Sequence, residues 1–384
     1  MKISKITDLI QPSHTRQLYN RAKEYSDVID FTLGDPDFDT PSYVKNFAIQ
    51  AIIRNKTKYS ANAGLLELRH EIAANIKDDY KVEYSANDEI IVTVGAMEAL
   101  YLSLMSILDA NDEVIIPAPY WINYEQMTLM CGGVPVIVDS NPENGFALNI
   151  DGIRSVISDK TVAIIINSPN NPTGNVYDYD SISELYKLAV ENNIVIIWDE
   201  CYKTIVYDDE FVSVLDFPDA KEHIIYINSC SKKLAMTGYR LGYMAAPNEV
   251  ISLATILQEN IVACASLPSQ YAALAAFDLD DRFTMEMKDG FEHRIDTFVT
   301  EVNKVKKLKC NKPQGTFYVL VDIRQTGINS EDFAYRLLES EHVAVVPGIT
   351  YGKCCEGFIR IACTIDEDKI IEGTRRIRRF IDSL

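Results

Sequence analysis

The chain has 384 residues, 47% of them hydrophobic and 24% charged, an ordinary composition for a globular protein and enough length for one large and one small domain. The formal net charge of −19 argues against binding nucleic acid or an anionic membrane surface. No run of about 18 apolar residues reads as a membrane span, and MKISKITDLIQPSHTR at the start lacks the pattern of a secretory signal, so a cytoplasmic location is expected.

In chain order, EIIVTVG (89–95) reads as a strand ending in glycine, followed by a helical period over 96–108. DEVIIP (112–117) is a short buried strand, 121–130 a helix and VPVIVD (134–139) another strand. TVAIIIN (161–167) is a strand that runs into the turn cluster SPNNPTGN. A helix over 181–191 precedes NIVIIWDE (193–200), a strand ending in acids, and HIIYINS (223–229) is the next strand. After about residue 285 the strands 316–322, 342–347 and 357–363 alternate with helices near 331–340 and 366–382. Continuous apolar strands between helices predict an α/β fold: a large domain with a mostly parallel sheet covered by helices on both faces, plus a smaller α/β domain. The expected boundaries are an N-terminal segment 1–45 that contributes to the small domain, a large domain 46–285 and a small domain 286–384. The eight cysteines show no metal-ligand spacing, the adjacent Cys354 and Cys355 included, and are read as free thiols.

The segment Ser229–Tyr243 is the most informative. It sets Lys232 among small hydroxyl residues and places Arg240 eight residues later. A lysine that forms an imine needs a free amine near neutral pH, which nearby positive charge and partial burial both favour. An arginine with serine hydroxyls before it suits a phosphate dianion. An amine plus a phosphate clamp is what pyridoxal phosphate requires; the plainer alternative is a basic loop before a strand. The other candidates fall at strand ends, where α/β sheets bind ligands. Gly95–Ala96–Met97 opens a helix and offers backbone N–H groups to a phosphate. Asn171 has an amide that can donate to a phenolate oxygen, or it belongs to a plain turn. Asp199 ends a strand, needs a cationic partner if buried, and otherwise caps a loop. Tyr202 is a second donor or a packing residue. Trp121 stacks on a flat ring or fills a helix–sheet gap. Arg360 grips a carboxylate or pairs with one of the many acids.

Together these segments resemble the pyridoxal-phosphate-dependent class I/II aminotransferases of fold type I, nearest to the prokaryotic aspartate and aromatic subgroup. The resemblance runs from FTLGDPDFDTP (31–41) and KYS (58–60) through VTVGAMEAL, PYWINY, NSPNNPTGNVY, WDECY and SKKLAMTGYRLGY to PQGTFYVL, VAVVPG and FIRIAC. It implies that Lys232, rather than its neighbour Lys233, joins the cofactor aldehyde covalently and moves a proton between the substrate Cα and the cofactor C4′. It implies that Asp199 keeps the pyridine nitrogen protonated and that Asn171 and Tyr202 bond the phenolate oxygen. Ser229, Ser231 and Arg240 would clamp the phosphate with the backbone of Ala96 and Met97, and Trp121 would stack on the ring. Tyr59 would reach the phosphate of the partner subunit in a homodimer with shared sites. Arg360 and the backbone of Gly34 would hold the substrate α-carboxylate. The implied reaction is transfer of an amino group from an L-amino acid to a 2-oxo acid such as 2-oxoglutarate by a ping-pong route. Met97 stands where some bacterial aspartate aminotransferases of the subgroup carry a lysine, which favours an aromatic or other neutral side chain and leaves aspartate as a weaker expectation. Ser13, His14 and Thr15 lie in a segment that crosses the site mouth in relatives. The alternatives are a carbon–sulfur β-lyase of the same fold, a transcription regulator with an aminotransferase-like domain, and a silent binding module. Tyr202 and Asn170 fit the aminotransferase pattern better than the lyase. A regulator would carry a DNA-binding region ahead of this domain, whereas this acidic chain begins almost at the aminotransferase start.

Overall fold

Parallel strands that are apolar on both faces need cover on both sides. The computed structural model, which describes residues 5–10, 14–207, 211–279 and 281–384, provides it. The central sheet holds β1 (Ile90–Thr93), β2 (Glu113–Ala118), β3 (Val134–Asp139), β4 (Thr161–Asn167), β5 (Val195–Asp199), β6 (Ile224–Ser229) and β7 (Gly242–Ala245) in the order β1-β7-β6-β5-β4-β2-β3. Pairs from β6 across to β3 are parallel, and β7 runs antiparallel to both β1 and β6. Alternation of side chains along each strand feeds two cores. Ile164, Ile166, Ile196 and Trp198 face one, while Ile165 and Ile197 face the other with Leu102, Val114 and Ile116.

A second, antiparallel sheet orders Val346–Pro347, Phe358–Ala362, Tyr318–Asp322 and Lys309–Cys310. Helices Ser330–Glu341 and Glu367–Asp382 pack beside it. Its core takes in Leu18 and Ala22 of the helix His14–Ala22, together with Phe31, Phe298, Val319, Ile359 and Ile377. The long helix Arg282–Val302 sends Met287 and Phe291 toward Tyr202 and Phe317, and Ile295, Phe298 and Val302 into the second core. Among the described residues no helix is long and apolar enough to cross a membrane.

Two departures from the sequence pattern have physical reasons. Residues 342–347 do not form one strand: Val343–Ala344 pairs with Ile29–Asp30 and Val346–Pro347 with Phe358–Ala362. Residues 343–347 are all apolar, so no alternation marks where the chain changes sheets. Strand β7 is not predicted, because its four residues are too short for a period to register. Yet β7 ties the site together, since Gly242 pairs with Thr93 on one side and Ser229 on the other. A Cβ on Gly242 would stand 2.5 Å from the Ala96 backbone nitrogen, a contact that backbone cannot relieve. Gly242→Ala is expected to lower stability by about 1–3 kcal/mol or more, read as a fall in denaturation midpoint; an unchanged midpoint would show that the turn after β1 can move.

Candidate active site

The carboxyl ends of the strands collect the polar side chains that an apolar sheet cannot bury in its middle. Asn167 ends β4, Asp199 ends β5 and Ser229 ends β6, with Asn167 and Asp199 directly paired across the ladder. They border a cavity of about 660 Å³ that Gly34, Ala96, Met97, Trp121, Asn171, Tyr202, Ser231, Lys232, Arg240 and Arg360 also line. Tyr59 is apart from it and 85% exposed. Ser13 lies outside the described residues, as do the side chains of His14 and Thr15. A smaller cavity of about 180 Å³ shares Cys201 and Ser229 but touches none of Lys232, Asp199 and Arg360.

Lys232 sits in the short helix Cys230–Lys233 that follows β6, and its Nζ donates to the Gly34 carbonyl. Asp199 is buried and accepts from the Tyr124 hydroxyl at 2.8 Å and the Cys201 N–H at 3.0 Å. Burial pushes its carboxyl above the usual range, against the lowering pull of those hydrogen bonds. No Lys, Arg or His nitrogen among the described residues lies within 4.0 Å of it. Asn167 joins the two strand ends to the following turn: its Nδ2 donates to the Asp199 carbonyl at 3.0 Å, and its Oδ1 accepts from the Asn171 N–H at 2.8 Å.

Arg360 is only 4% exposed. Its Nη1 donates to Asn171 Oδ1 at 3.2 Å and its Nη2 to the Thr32 carbonyl. Its Nε has no partner among the described residues. The guanidinium lies 4.2 Å from the Tyr318 ring centroid and 5.2 Å from that of Tyr351. Among the described residues Arg360 forms no ion pair, so the acid that might have neutralised it is not there. Tyr202 and Tyr318 share a hydroxyl–hydroxyl bond of 3.2 Å, and burial raises the Tyr202 phenol well above its ordinary value.

At the other end, Gly95 opens the helix Gly95–Ile107 with φ +76°, and a Cβ there would come 2.8 Å from Arg240 Nη2. Arg240 itself is left-handed at φ 51°, an uncommon state for a non-glycine residue. The result is a cradle of backbone N–H groups, a guanidinium and hydroxyls that fits an anion. Among the described residues no cluster of His, Cys, Asp and Glu could hold a metal ion.

Comparison with known proteins decides the family. The model for aminotransferase class I and II matches residues 26–377. The chain belongs to that family. It is 39% identical to a probable aspartate/prephenate aminotransferase of Aquifex aeolicus, over 98% of this chain and 97% of that one. It is 34% identical to an aromatic-amino-acid aminotransferase of Thermococcus litoralis, over 99% and 98%. The aspartate aminotransferase of Thermus thermophilus solved with maleate superposes with a TM-score of 0.94 at 34% identity, covering 99% of both chains. These relatives make the chain an aminotransferase of fold type I and do not favour the lyase.

The cavity is also lined by residues that the sequence reading does not single out. Tyr124 stands three residues after Trp121, and their rings meet edge-to-face at 5.5 Å. Tyr318 pairs with Ala362, two residues from Arg360 on the facing strand; same-face diagonal neighbours meet this way, and that register was the available signal. Arg16 and Tyr19 line the mouth. Tyr124→Phe is expected to raise the Asp199 protonation midpoint further, read from the carboxyl carbon by NMR; an unmoved midpoint would refute the coupling. The sign for stability follows. Asp199 holds its proton more tightly folded than unfolded, so its contribution is complete below the ordinary value near ~3.9 and is lost as pH rises through the raised one.

Proposed function

We propose that Lys232 carries pyridoxal 5′-phosphate and that the chain transfers the amino group of an L-amino acid to a 2-oxo acid such as 2-oxoglutarate. An aromatic or other neutral side chain is favoured on the donor, with aspartate accepted less well. The supporting observation is a single cavity that holds an amine, a buried carboxylate and a buried guanidinium, neither of which meets an opposite charge among the described residues.

The residues fit the cofactor. When bound, it supplies a conjugated ring that accepts the electrons left at the substrate Cα after its proton leaves. Asp199 would hold the proton on the pyridine nitrogen, and the missing cation beside its buried carboxyl supports that role. Asn171 uses its Oδ1 for Arg360, which leaves the amide N–H groups for the phenolate oxygen alongside Tyr202. Ser229, Ser231, Arg240 and the N–H groups of Ala96 and Met97 would bind the phosphate, with Trp121 against the ring face. Arg360 would hold the substrate α-carboxylate in a two-pronged grip; its unpartnered Nε supports a further acceptor there. The Gly34 backbone, which lines the same cavity, would approach that carboxylate too. Lys232 would take the proton from the substrate Cα and return it at C4′.

The proposal includes a homodimer. Ile49, Ile52 and Ile53 of the helix Ser42–Ile53 and Leu253, Ile256 and Ile261 of the helix Asn248–Ile261 are large and exposed, an uneconomical surface for a lone subunit. Tyr59 lies between these helices in sequence and is free to reach a neighbour's phosphate. We also propose units divided near residues 45 and 285; the helix Arg282–Val302 begins at the second boundary.

Borohydride reduction of purified, cofactor-loaded protein is expected to fix a pyridoxyl group on Lys232, located by peptide mapping. An adduct elsewhere, or none, overturns the proposal. With 2-oxoglutarate as acceptor, a donor panel is expected to rank tyrosine and phenylalanine above aspartate. Strong aspartate activity with negligible aromatic activity would refute the reading of Met97.

A further inference from the structure

Tyr318 stands among residues that the proposed function uses and has no task there itself. It is buried at the start of the strand Tyr318–Asp322, and its side chain reaches three of them. Its hydroxyl bonds the Tyr202 hydroxyl at 3.2 Å. Its ring centroid lies 4.2 Å from the Arg360 guanidinium, and a ring face offers a cation an electrostatic partner. The same hydroxyl fills the space beside Gly34, where a Cβ would come within 1.7 Å of it. A side chain at position 34 would therefore push the phenol away from Tyr202. The Tyr202 ring packs edge-on against both Phe317 and Tyr318, with centroids 5.7 Å apart in each pair.

The bond between the two tyrosines has a direction. Each hydroxyl carries one hydrogen. In the function proposed above, Tyr202 gives its hydrogen to the phenolate oxygen of the cofactor, so its own oxygen is left to accept. Among the described residues neither hydroxyl has another hydrogen-bond partner. The 3.2 Å contact is then Tyr318 donating to Tyr202. We propose that Tyr318 is a positioning residue that turns the Tyr202 hydroxyl toward the phenolate oxygen and strengthens its donation there. The inference rests on the function proposed above. Hydrogen bonds in series polarise one another, and a buried hydroxyl without a partner is costly. A phenolate oxygen bonded well by the protein pulls less on the proton of the nitrogen that joins Lys232 to the cofactor. Tyr318 thus holds the protonation midpoint of that nitrogen down, and it does so through Tyr202.

The test is Tyr318→Phe, which keeps the ring beside Arg360 and removes only the hydroxyl. On cofactor-loaded protein, absorbance against pH reads the protonation midpoint of the nitrogen at Lys232. Tyr318→Phe is expected to raise that midpoint by about 0.4–1 pH unit. Tyr202→Phe is expected to raise it at least as far, and Tyr318→Phe added to Tyr202→Phe to move it no further. An unmoved midpoint in Tyr318→Phe, or the same shift with and without the Tyr202 hydroxyl, overturns the assignment. Loss of the reducible Lys232 adduct in Tyr318→Phe alone also overturns it, because a positioning role spares cofactor loading. Unsubstituted protein without the adduct overturns the function beneath it instead.

Discussion

A charge taken out of water must be met by an opposite charge or by hydrogen bonds, and that constraint organises this cavity. Asp199 and Arg360 are both buried, face the same space and do not pair with each other. Each is held by neutral donors, acceptors or ring faces instead: Tyr124 and Cys201 for the acid, Asn171, Thr32 and Tyr318 for the base. Such contacts orient a charge without neutralising it. Among the described residues neither group meets an opposite charge, and in the proposed function a pyridinium and a carboxylate complete them.

The architecture makes this arrangement affordable. Parallel strands end together, so Asn167, Asp199 and Ser229 project from one edge of the sheet without disturbing its two apolar cores. Arg360 comes from the second sheet, and Asn171 links it to the turn after β4. Gly242 lets β7 enter between β1 and β6 against the backbone of Ala96, which brings Arg240 beside Gly95. Two sheets thus meet at one cavity, and the base that faces the acid comes from the other sheet.

What could be read from the sequence was what is local. The strand-then-turn segments at 161–174, 193–200 and 223–240 announce themselves by apolar runs ending in polar residues, and the candidates at their ends line the cavity. Side chains brought in by tertiary register carry no such mark. Tyr318 meets Arg360 through antiparallel pairing across about forty residues of chain, and Tyr124 meets Asp199 from a helix that looks like ordinary packing. Arg16 lies on a short amphipathic helix whose sequence could sit on any surface; only the burial of Leu18 and Ala22 fixes which way it faces. Strand β7 carries no mark of its own because its four residues are too few for a period to register.

In the proposed function the contrast between the buried Arg360 and the exposed Arg16 has a physical logic. A carboxylate next to the reacting carbon is common to every amino acid and oxo acid, so a buried, preorganised guanidinium at Arg360 is matched whichever substrate is present. A distal carboxylate is present only on some. Burying a second cation for it would leave that cation unmatched whenever a neutral side chain occupied the cavity, at a cost of several kcal/mol. The remaining arginine of the cavity, Arg16, is exposed, and a solvated guanidinium without a partner loses little. In a ping-pong reaction donor and acceptor occupy the same space in turn, and a charge at the mouth with an apolar, flexible Met97 on the wall suits two side chains of unlike polarity.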